Sequence, residues 1–110
     1  MVSPSAGLVV LVFFPFSDLS ASKLRPAIVL AAAGGDDWIL CQVTSNPYAD
    51  LRAIEISDDD FRSGSLRRLS FARPGKLFTA NASLIHSQVG LLNPASLKKV
   101  RDAVINLLSE

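Results

Sequence analysis

Cysteine and histidine are almost absent from this sequence: its 110 residues include one of each, Cys41 and His86. A single cysteine forms neither an intrachain disulfide nor a cysteine-based zinc site, so a disulfide-stapled secreted scaffold and a zinc module are both excluded. A single histidine also argues against a catalytic zinc centre, which usually takes two or three histidine ligands. These counts fit a protein of a reducing compartment without a cysteine- or histidine-ligated metal, and no cofactor is predicted.

Long hydrophobic runs are missing as well. The most apolar run, residues 7–14, is far shorter than the roughly 20 residues that a membrane-spanning helix needs. No lysine or arginine precedes this run, as a signal peptide would require. The sequence therefore predicts a cytoplasmic protein with no membrane partner.

Excess charge of either sign is the third absence. Lys and Arg together number 11, Asp and Glu number 10, and the formal net charge is +1. This balance removes the usual argument for nucleic-acid binding. The charges are nevertheless segregated, because an acidic run at residues 58–60 precedes a basic stretch at residues 62–76. A local positive groove can therefore coexist with a neutral total.

Apolar residues are abundant: they make up 49% of the sequence, against 19% for charged residues. A chain of this size and composition can bury enough surface to offset its ordering entropy, so we expect one folded domain over residues 1–110. The charged share lies below the roughly 25% of ordinary soluble domains, which leaves apolar surface for a partner. This composition favours a dimer.

Apolar runs rich in β-branched and aromatic residues, separated by turn residues, predict a chain made mostly of strands. The predicted strands cover residues 7–14, 26–33, 38–44, 52–56, 69–73, 76–80 and 86–91. The second and third should pair as a hairpin across a turn at residues 34–37. A helical turn is expected at residues 58–64, and a tight turn at Pro74 and Gly75.

The end of the sequence carries a clear helix pattern. Asn93 can cap the helix and Pro94 suits its first position. Apolar residues then recur at three- and four-residue spacing, at Leu97, Val100, Val104, Leu107 and Leu108. The fold class predicted from these elements is mainly β or α+β, a small antiparallel barrel or strongly bent sheet closed by a C-terminal helix.

No strong catalytic motif is present, so the candidate functional residues are polar side chains at strand ends. Arg25 precedes Pro26, which restricts its backbone, and its guanidinium suits a phosphate; the alternative is an ion pair with Asp18. The hydroxyls of Thr44 and Ser45 could hold a phosphate oxygen or bond their own backbone. A hairpin is expected to put Arg25 and Thr44 at opposite ends of the paired segment unless twist or bending intervenes.

The basic stretch alternates cations with phenylalanines, which is what single-stranded nucleic acid needs for backbone charge and base stacking. The residues concerned are Arg62, Arg67, Arg68, Arg73 and Lys76, with Phe61, Phe71 and Phe78 between them. The alternative is that the phenylalanines belong to the core. The aspartates at 58–60 are expected to cap a turn rather than bind a metal, and Cys41 to lie in the core.

Three blocks carry a resemblance that spans nearly the whole sequence. They are GLVVLVFFPFSDLSASKLRPAIVL at residues 7–30, ILCQVTS at 39–45 and SFARPGKLFT at 70–79, followed by a turn at Gly90 and the terminal helix. These blocks resemble the MazF/PemK family of bacterial toxin endoribonucleases. The resemblance implies an SH3-like antiparallel β-barrel, of the type shared with CcdB-like toxins, with a C-terminal α-helix. It also implies a homodimer inhibited by a cognate antitoxin, with operator DNA bound only through the antitoxin complex.

The resemblance implies metal-independent cleavage of single-stranded RNA, usually mRNA, by attack of a ribose 2′-hydroxyl on its own 3′-phosphate. Arg25 matches the catalytic arginine of the family and Thr44 its phosphate-contacting threonine. Arg25 is not the general base, because a guanidinium keeps its proton. Asp18 and then His86 are the candidates for the base. Further RNA contacts are expected from Ser45, Arg73 and Lys76.

Two positions depart from the family pattern. Leu8 stands where the family commonly has an aspartate after the first glycine, and Arg73 stands where some members have an aspartate. The second departure leaves open an inactive or differently tuned enzyme. Two alternatives to the endoribonuclease therefore remain: a non-catalytic, CcdB-like toxin that binds DNA gyrase, and a degenerate barrel kept as a regulatory partner.

Overall fold

The computed structural model describes residues 3–14 and 23–110, which form seven strands and one α-helix. The strands are β1 (Leu8–Phe14), β2 (Lys23–Gly34), β3 (Asp37–Thr44), β4 (Ile54–Ile56), β5 (Phe61–Gly64), β6 (Ser70–Asn81) and β7 (Ile85–Leu92); α1 is Pro94–Leu108. Each pairing is antiparallel, and the strand order is β4-β6-β3-β2-β1-β7-β5. Only residues 57–60 join the two edge strands, so the sheet curls into half a barrel. The predicted bent antiparallel sheet with a C-terminal helix is confirmed.

The middle of the sheet is buried on both faces. In β2 four consecutive residues, Ala27 to Leu30, are buried, and alternate members belong to two different hydrophobic clusters. Ile28 and Leu30 join the cluster that includes Val100 and Val104 of α1. Ala27 and Val29 join the other cluster. Burial on both faces explains why the sequence of this strand is continuously apolar rather than alternating.

Helix α1 follows the sequence pattern at its start and along its buried side. The side chain of Asn93 accepts a hydrogen bond from the Ser96 amide at 2.8 Å, with Pro94 at the first helical position. Arg101 fixes the helix to the sheet by donating to the carbonyl oxygen of Leu30 at 2.6 Å. The predicted apolar face of the helix is wrong at Leu108, because 73% of the surface of this residue is exposed at the end of the helix.

Asp60 of the acidic run holds the start of α1 through its carboxylate. Asp58–Asp60 form one 3₁₀ turn, in which the Asp60 carboxylate accepts from the Ser57 amide at 2.8 Å and from the Ser96 hydroxyl at 2.7 Å. Burial alone would raise the pKa of Asp60, but these hydrogen bonds outweigh it and lower the pKa. The predicted capping role is confirmed for Asp60. The predicted helical turn is too long, because residues 61–64 form β5.

Strand β6 contradicts the predicted turn at Pro74 and Gly75. The chain continues through both residues as one strand of 12 residues, and Pro74 is fully buried. The register explains how: Cys41 of β3 pairs with Leu77 and Val43 pairs with Ala72, so residues 73–76 bulge out of the ladder. A proline lacks an amide hydrogen and is tolerated at such a bulge.

Cys41 lies beside this bulge and is a core residue, as expected. Its side chain is buried, and its thiol donates to the carbonyl oxygen of Arg73 at 3.2 Å. Burial raises the pKa of the thiol to about 12. The thiol is therefore protonated and unreactive at neutral pH.

Two smaller expectations are also wrong. Gly90 does not form a turn but lies inside β7, opposite Gly64 of β5, and an added Cβ there would lie 2.6 Å from the Phe61 ring. The predicted strand at residues 52–56 is shortened to Ile54–Ile56, because residues 50–53 form a turn closed by Asp50 and Ala53.

No helix in the described part of the chain is long and apolar enough to cross a membrane.

Candidate nucleic-acid interface

Arg25 and Thr44 lie at the same end of the hairpin formed by β2 and β3. The register pairs Ala27 with Gln42, and continuing it by two residues brings Arg25 beside Thr44. The expectation that a hairpin would separate them is wrong, because the first residues of one antiparallel strand lie beside the last residues of the next. Arg25 is exposed and Thr44 is 9% exposed. No twist or bend is needed to bring them together.

The hydroxyl of Thr44 is engaged with the local backbone. It donates to the carbonyl oxygen of Asn46 at 3.0 Å and accepts from the Asn46 amide at 3.2 Å. This is the strand-terminating alternative considered for Thr44. To contact a phosphate, the hydroxyl must turn its single proton away from Asn46.

Two open cavities adjoin this strand end. One has a volume of about 390 Å³, and its lining includes Arg25, Gln42, Tyr48, Arg73, Lys76 and Phe78. The other has a volume of about 270 Å³, and its lining includes Arg25, Thr44, Ser45, Tyr48, Arg68 and Ser70. Arg25 and Tyr48 line both cavities, so we call the two together the Arg25 groove.

Positive charge dominates the Arg25 groove. Four cationic side chains line it: Arg25, Arg68, Arg73 and Lys76. Among the described lining residues there is no carboxyl group and no imidazole. The local positive groove anticipated from the segregated charges is therefore present, in a chain whose net charge is only +1.

Arg73 already has a carboxylate partner just outside the lining. Its Nε donates to Oδ2 of Asp50 at 2.9 Å, and the two side chains are only 18% and 16% exposed. The hydrogen bond from Arg73 lowers the pKa of Asp50, and a hydrogen bond from the Arg52 amide adds to the effect. Arg73 is thus held in place by Asp50, whose negative charge offsets part of the positive charge that Arg73 brings to the groove.

The two candidate general bases differ in position. Asp18 lies outside the residues that the structure describes, as does its alternative ion pair with Arg25. His86 is exposed on β7 at a bulge, where Leu11 pairs with Ser87 and Val12 with Ile85. Its ring packs edge-on against Phe13, and it is not among the described residues that line the groove.

Acidic, histidine and cysteine side chains do not cluster as metal ligands in residues 3–14 and 23–110: no group of three or more of them is placed to hold a metal ion there. What the groove offers is a set of fixed cations and hydroxyls, an arrangement suited to phosphate oxygens.

Four polar lining residues were not predicted as catalytic or RNA-contacting residues from the sequence: Gln42, Tyr48, Arg68 and Ser70. Arg68 was recognisable only as part of the basic stretch, and Tyr48 only as a residue shortly after Thr44. Of the three phenylalanines, Phe61 and Phe78 pack against the two hydrophobic clusters, as the core alternative expected.

Comparison with known proteins identifies the fold through solved structures. No protein-family model and no curated protein matches the sequence. MazE-MazF from Deinococcus radiodurans matches with 22% identity, a TM-score of 0.74 and coverage of 96% of both chains. An endoribonuclease from a Mycobacterial species, in complex with its cognate antitoxin, has 14% identity and a TM-score of 0.74 over 97% of this chain and 96% of that one. Mycobacterium tuberculosis toxin MazF-mt6 has 14% identity and a TM-score of 0.71 over 93% and 96%. The chain therefore has the MazF fold.

Proposed function

We propose that this protein is an endoribonuclease toxin of a type II toxin-antitoxin system that cuts single-stranded RNA without a metal ion. The observation that carries the proposal is the Arg25 groove, where four cations and the Thr44 hydroxyl surround two adjoining open cavities. A single strand can place its scissile phosphate at Arg25 and run a nucleotide into each cavity. The fold shared with endoribonucleases and MazF toxins supports this assignment.

The chemistry that fits these groups uses the RNA as its own nucleophile. The ribose 2′-oxygen forms a bond to the adjacent phosphorus and loses its proton to a base, while the bond to the 5′-oxygen breaks and that oxygen gains a proton. The products are a 2′,3′-cyclic phosphate and a 5′-hydroxyl. Because the nucleophile is internal, the reaction requires no metal-activated water.

Arg25 has the central role in this proposal. Its guanidinium donates to the non-bridging phosphoryl oxygens, whose negative charge grows in the transition state. Thr44 orients the same oxygens after its hydroxyl turns from Asn46. Ser45, Arg73 and Lys76 contact the strand on either side, and the general base is Asp18 or His86.

The proposal includes partners and location. The protein acts in the cytoplasm as a homodimer, which doubles the groove and covers apolar surface. A cognate antitoxin inhibits it; the complexes formed by two structural neighbours support this part of the proposal. Operator DNA is contacted only through that complex.

The experiment compares Arg25→Ala with wild type on a long single-stranded RNA in the presence of EDTA. We expect wild type to cleave and Arg25→Ala to be slower by roughly 10²–10³-fold, as for loss of one oxyanion donor. Arg62→Ala is the matched control, because Arg62 is exposed on β5 outside the groove lining. Equal cleavage by Arg25→Ala would refute the role of Arg25. Toxicity that survives in Arg25→Ala would favour a gyrase-binding toxin.

A further inference from the structure

Tyr48 occupies an unusual place in the groove. With Arg25 it is common to the described linings of both cavities, and its side chain is prominent, with 64% of the residue surface exposed. Tyr48 thus places an exposed aromatic ring in the same two cavities as the guanidinium of Arg25.

The loop that carries Tyr48 is held in a strained conformation. Tyr48 and Ala49 have φ values of 53° and 60°, in the left-handed region that residues with a side chain rarely adopt. Two hydrogen bonds stabilise the bend: the Tyr48 amide donates to Oδ1 of Asn46 at 3.0 Å, and the Asp50 amide donates to the Pro47 carbonyl at 2.9 Å. Backbone strain of this kind persists only where surrounding contacts enforce it, and it is concentrated at active sites and ligand-binding sites.

The Asp50–Arg73 pair supports the ring from the sheet side. The Arg73 guanidinium carbon lies 5.8 Å from the Tyr48 ring centroid, within cation–π range. Asp50 lies in the Tyr48 loop and accepts a hydrogen bond from the Arg73 guanidinium of β6. The other carboxylate oxygen of Asp50 accepts from the Arg52 amide at 2.9 Å. The ring is thus backed by a mostly buried ion pair while most of its own surface stays open.

We propose that Tyr48 is the platform on which a nucleobase of the bound strand stacks, beside the phosphate held by Arg25, and that Asp50 and Arg73 are its positioning residues. This inference rests on the proposed function, because it assumes that RNA occupies the groove. Stacking on an aromatic ring suits any base, so Tyr48 contributes affinity at one fixed nucleotide position. The bases at other positions are then free to be read by other groups.

The test measures binding of a 2′-fluoro RNA oligonucleotide, which lacks the nucleophilic hydroxyl and cannot be cut. We expect Tyr48→Ala to bind roughly 5- to 150-fold more weakly, which corresponds to about 1–3 kcal/mol for one stacked base. Tyr48→Phe keeps the ring and should bind like wild type. Leu51→Ala is the matched control, because Leu51 lies in the same loop, is 101% exposed and is outside the groove lining.

A second measurement separates stacking from a structural role. Replacing one nucleotide at a time by an abasic residue should weaken binding to wild type at one position near the cleavage site, and leave binding to Tyr48→Ala unchanged at that position. Asp50→Asn should weaken binding more in the wild-type background than in Tyr48→Ala, because only in wild type does the substitution also release the ring. Equal binding by wild type and Tyr48→Ala, or an abasic profile unchanged by Tyr48→Ala, would overturn the inference.

These outcomes also distinguish this inference from the proposed function. If wild type cleaves RNA and Tyr48→Ala binds it equally well, the stacking role fails and the endoribonuclease assignment stands. If wild type neither cleaves nor binds single-stranded RNA, the proposed function fails and the stacking role fails with it.

Discussion

The ion pair between Asp50 and Arg73 gives the sharpest prediction about stability. It joins the loop after β3 to the bulge of β6, with 2.9 Å between Nε of Arg73 and Oδ2 of Asp50. The perturbation is Asp50→Asn, which removes the negative charge of the side chain. In wild type the Arg52 amide donates to Oδ1 of Asp50 at 2.9 Å, and asparagine keeps an oxygen that can accept this hydrogen bond. The substitution therefore isolates the ion pair from the turn.

The burial of the pair sets the magnitude. Exposed ion pairs contribute roughly 0.2–1 kcal/mol, and removing one partner of a fully buried pair costs about 3–5 kcal/mol. The side chains here are 18% and 16% exposed, so the cost lies between these limits. We expect Asp50→Asn to lower the free energy of unfolding by about 2 kcal/mol at neutral pH.

The same pair predicts a pH dependence. The folded protein lowers the pKa of Asp50, chiefly through the hydrogen bond from Arg73. The stabilisation is therefore complete above the unfolded-state pKa of about 3.9, and it is lost as the pH falls through the lower folded-state pKa. The difference between wild type and Asp50→Asn should be constant from neutral pH to about pH 5 and should shrink at lower pH.

The assay is urea denaturation of both proteins at a series of pH values, with Asp59→Asn as the control because Asp59 is exposed on the acidic turn. Arg73→Met and the double variant complete a thermodynamic cycle that isolates the coupling of the two side chains. A stability difference that is equally large at neutral pH and below pH 3 would refute the electrostatic explanation. A coupling energy near zero would refute the ion pair itself.

Three further predictions concern the β5–β7 contact, the helix cap and the groove. Gly90→Ala should lower the free energy of unfolding by about 2–3 kcal/mol in urea denaturation, because the added Cβ would lie 2.7 Å from the Ser63 carbonyl oxygen. A loss of stability below about 0.5 kcal/mol would contradict this close approach. By the same assay Asn93→Ala should lower the free energy of unfolding by about 1 kcal/mol, and Asn93→Ser should lower it much less. Equal losses of stability would argue against the capping hydrogen bond from the Ser96 amide to Asn93. Arg68→Ala should weaken RNA binding and reduce the slope of log affinity against log salt by about 0.7, with an unchanged slope excluding a phosphate contact.

The regular parts of the fold were predictable because local sequence and global structure agree there. The helix cap at Asn93 and the apolar stripe through Val100 and Val104 follow from residue type and spacing, and both are observed. The β2–β3 hairpin was equally predictable from the sequence, since two turn glycines separate the two apolar runs that form its strands.

The bulge in β6 was not predictable from local sequence. Pro74 and Gly75 favour a turn in isolation, and only pairing with β3 shows that four residues leave the ladder while the strand continues. The same limit applies to Gly90, whose conformation reflects the close approach of β5 rather than a turn preference. Both errors arise where a tertiary contact overrides a local preference.

The candidate site divides in the same way. Arg25 and Thr44 were identifiable through a family resemblance, and the hairpin register then places them side by side. Tyr48 carries no signal in the sequence, because its position depends on left-handed backbone at residues 48 and 49 and on an ion pair between residues 23 positions apart. Long-range contacts of this kind appear only in the folded structure.

The central claim, that the Arg25 groove promotes attack by a 2′-hydroxyl, is tested most directly by the chemistry of the cut ends. The substrate is a DNA oligonucleotide with a single ribonucleotide, incubated with wild type in EDTA, beside an all-DNA control of the same sequence. We predict cleavage only after the ribonucleotide, with a 2′,3′-cyclic phosphate on one product and a 5′-hydroxyl on the other. Cleavage of the all-DNA control, or products ending in a 3′-hydroxyl and a 5′-phosphate, would contradict the account.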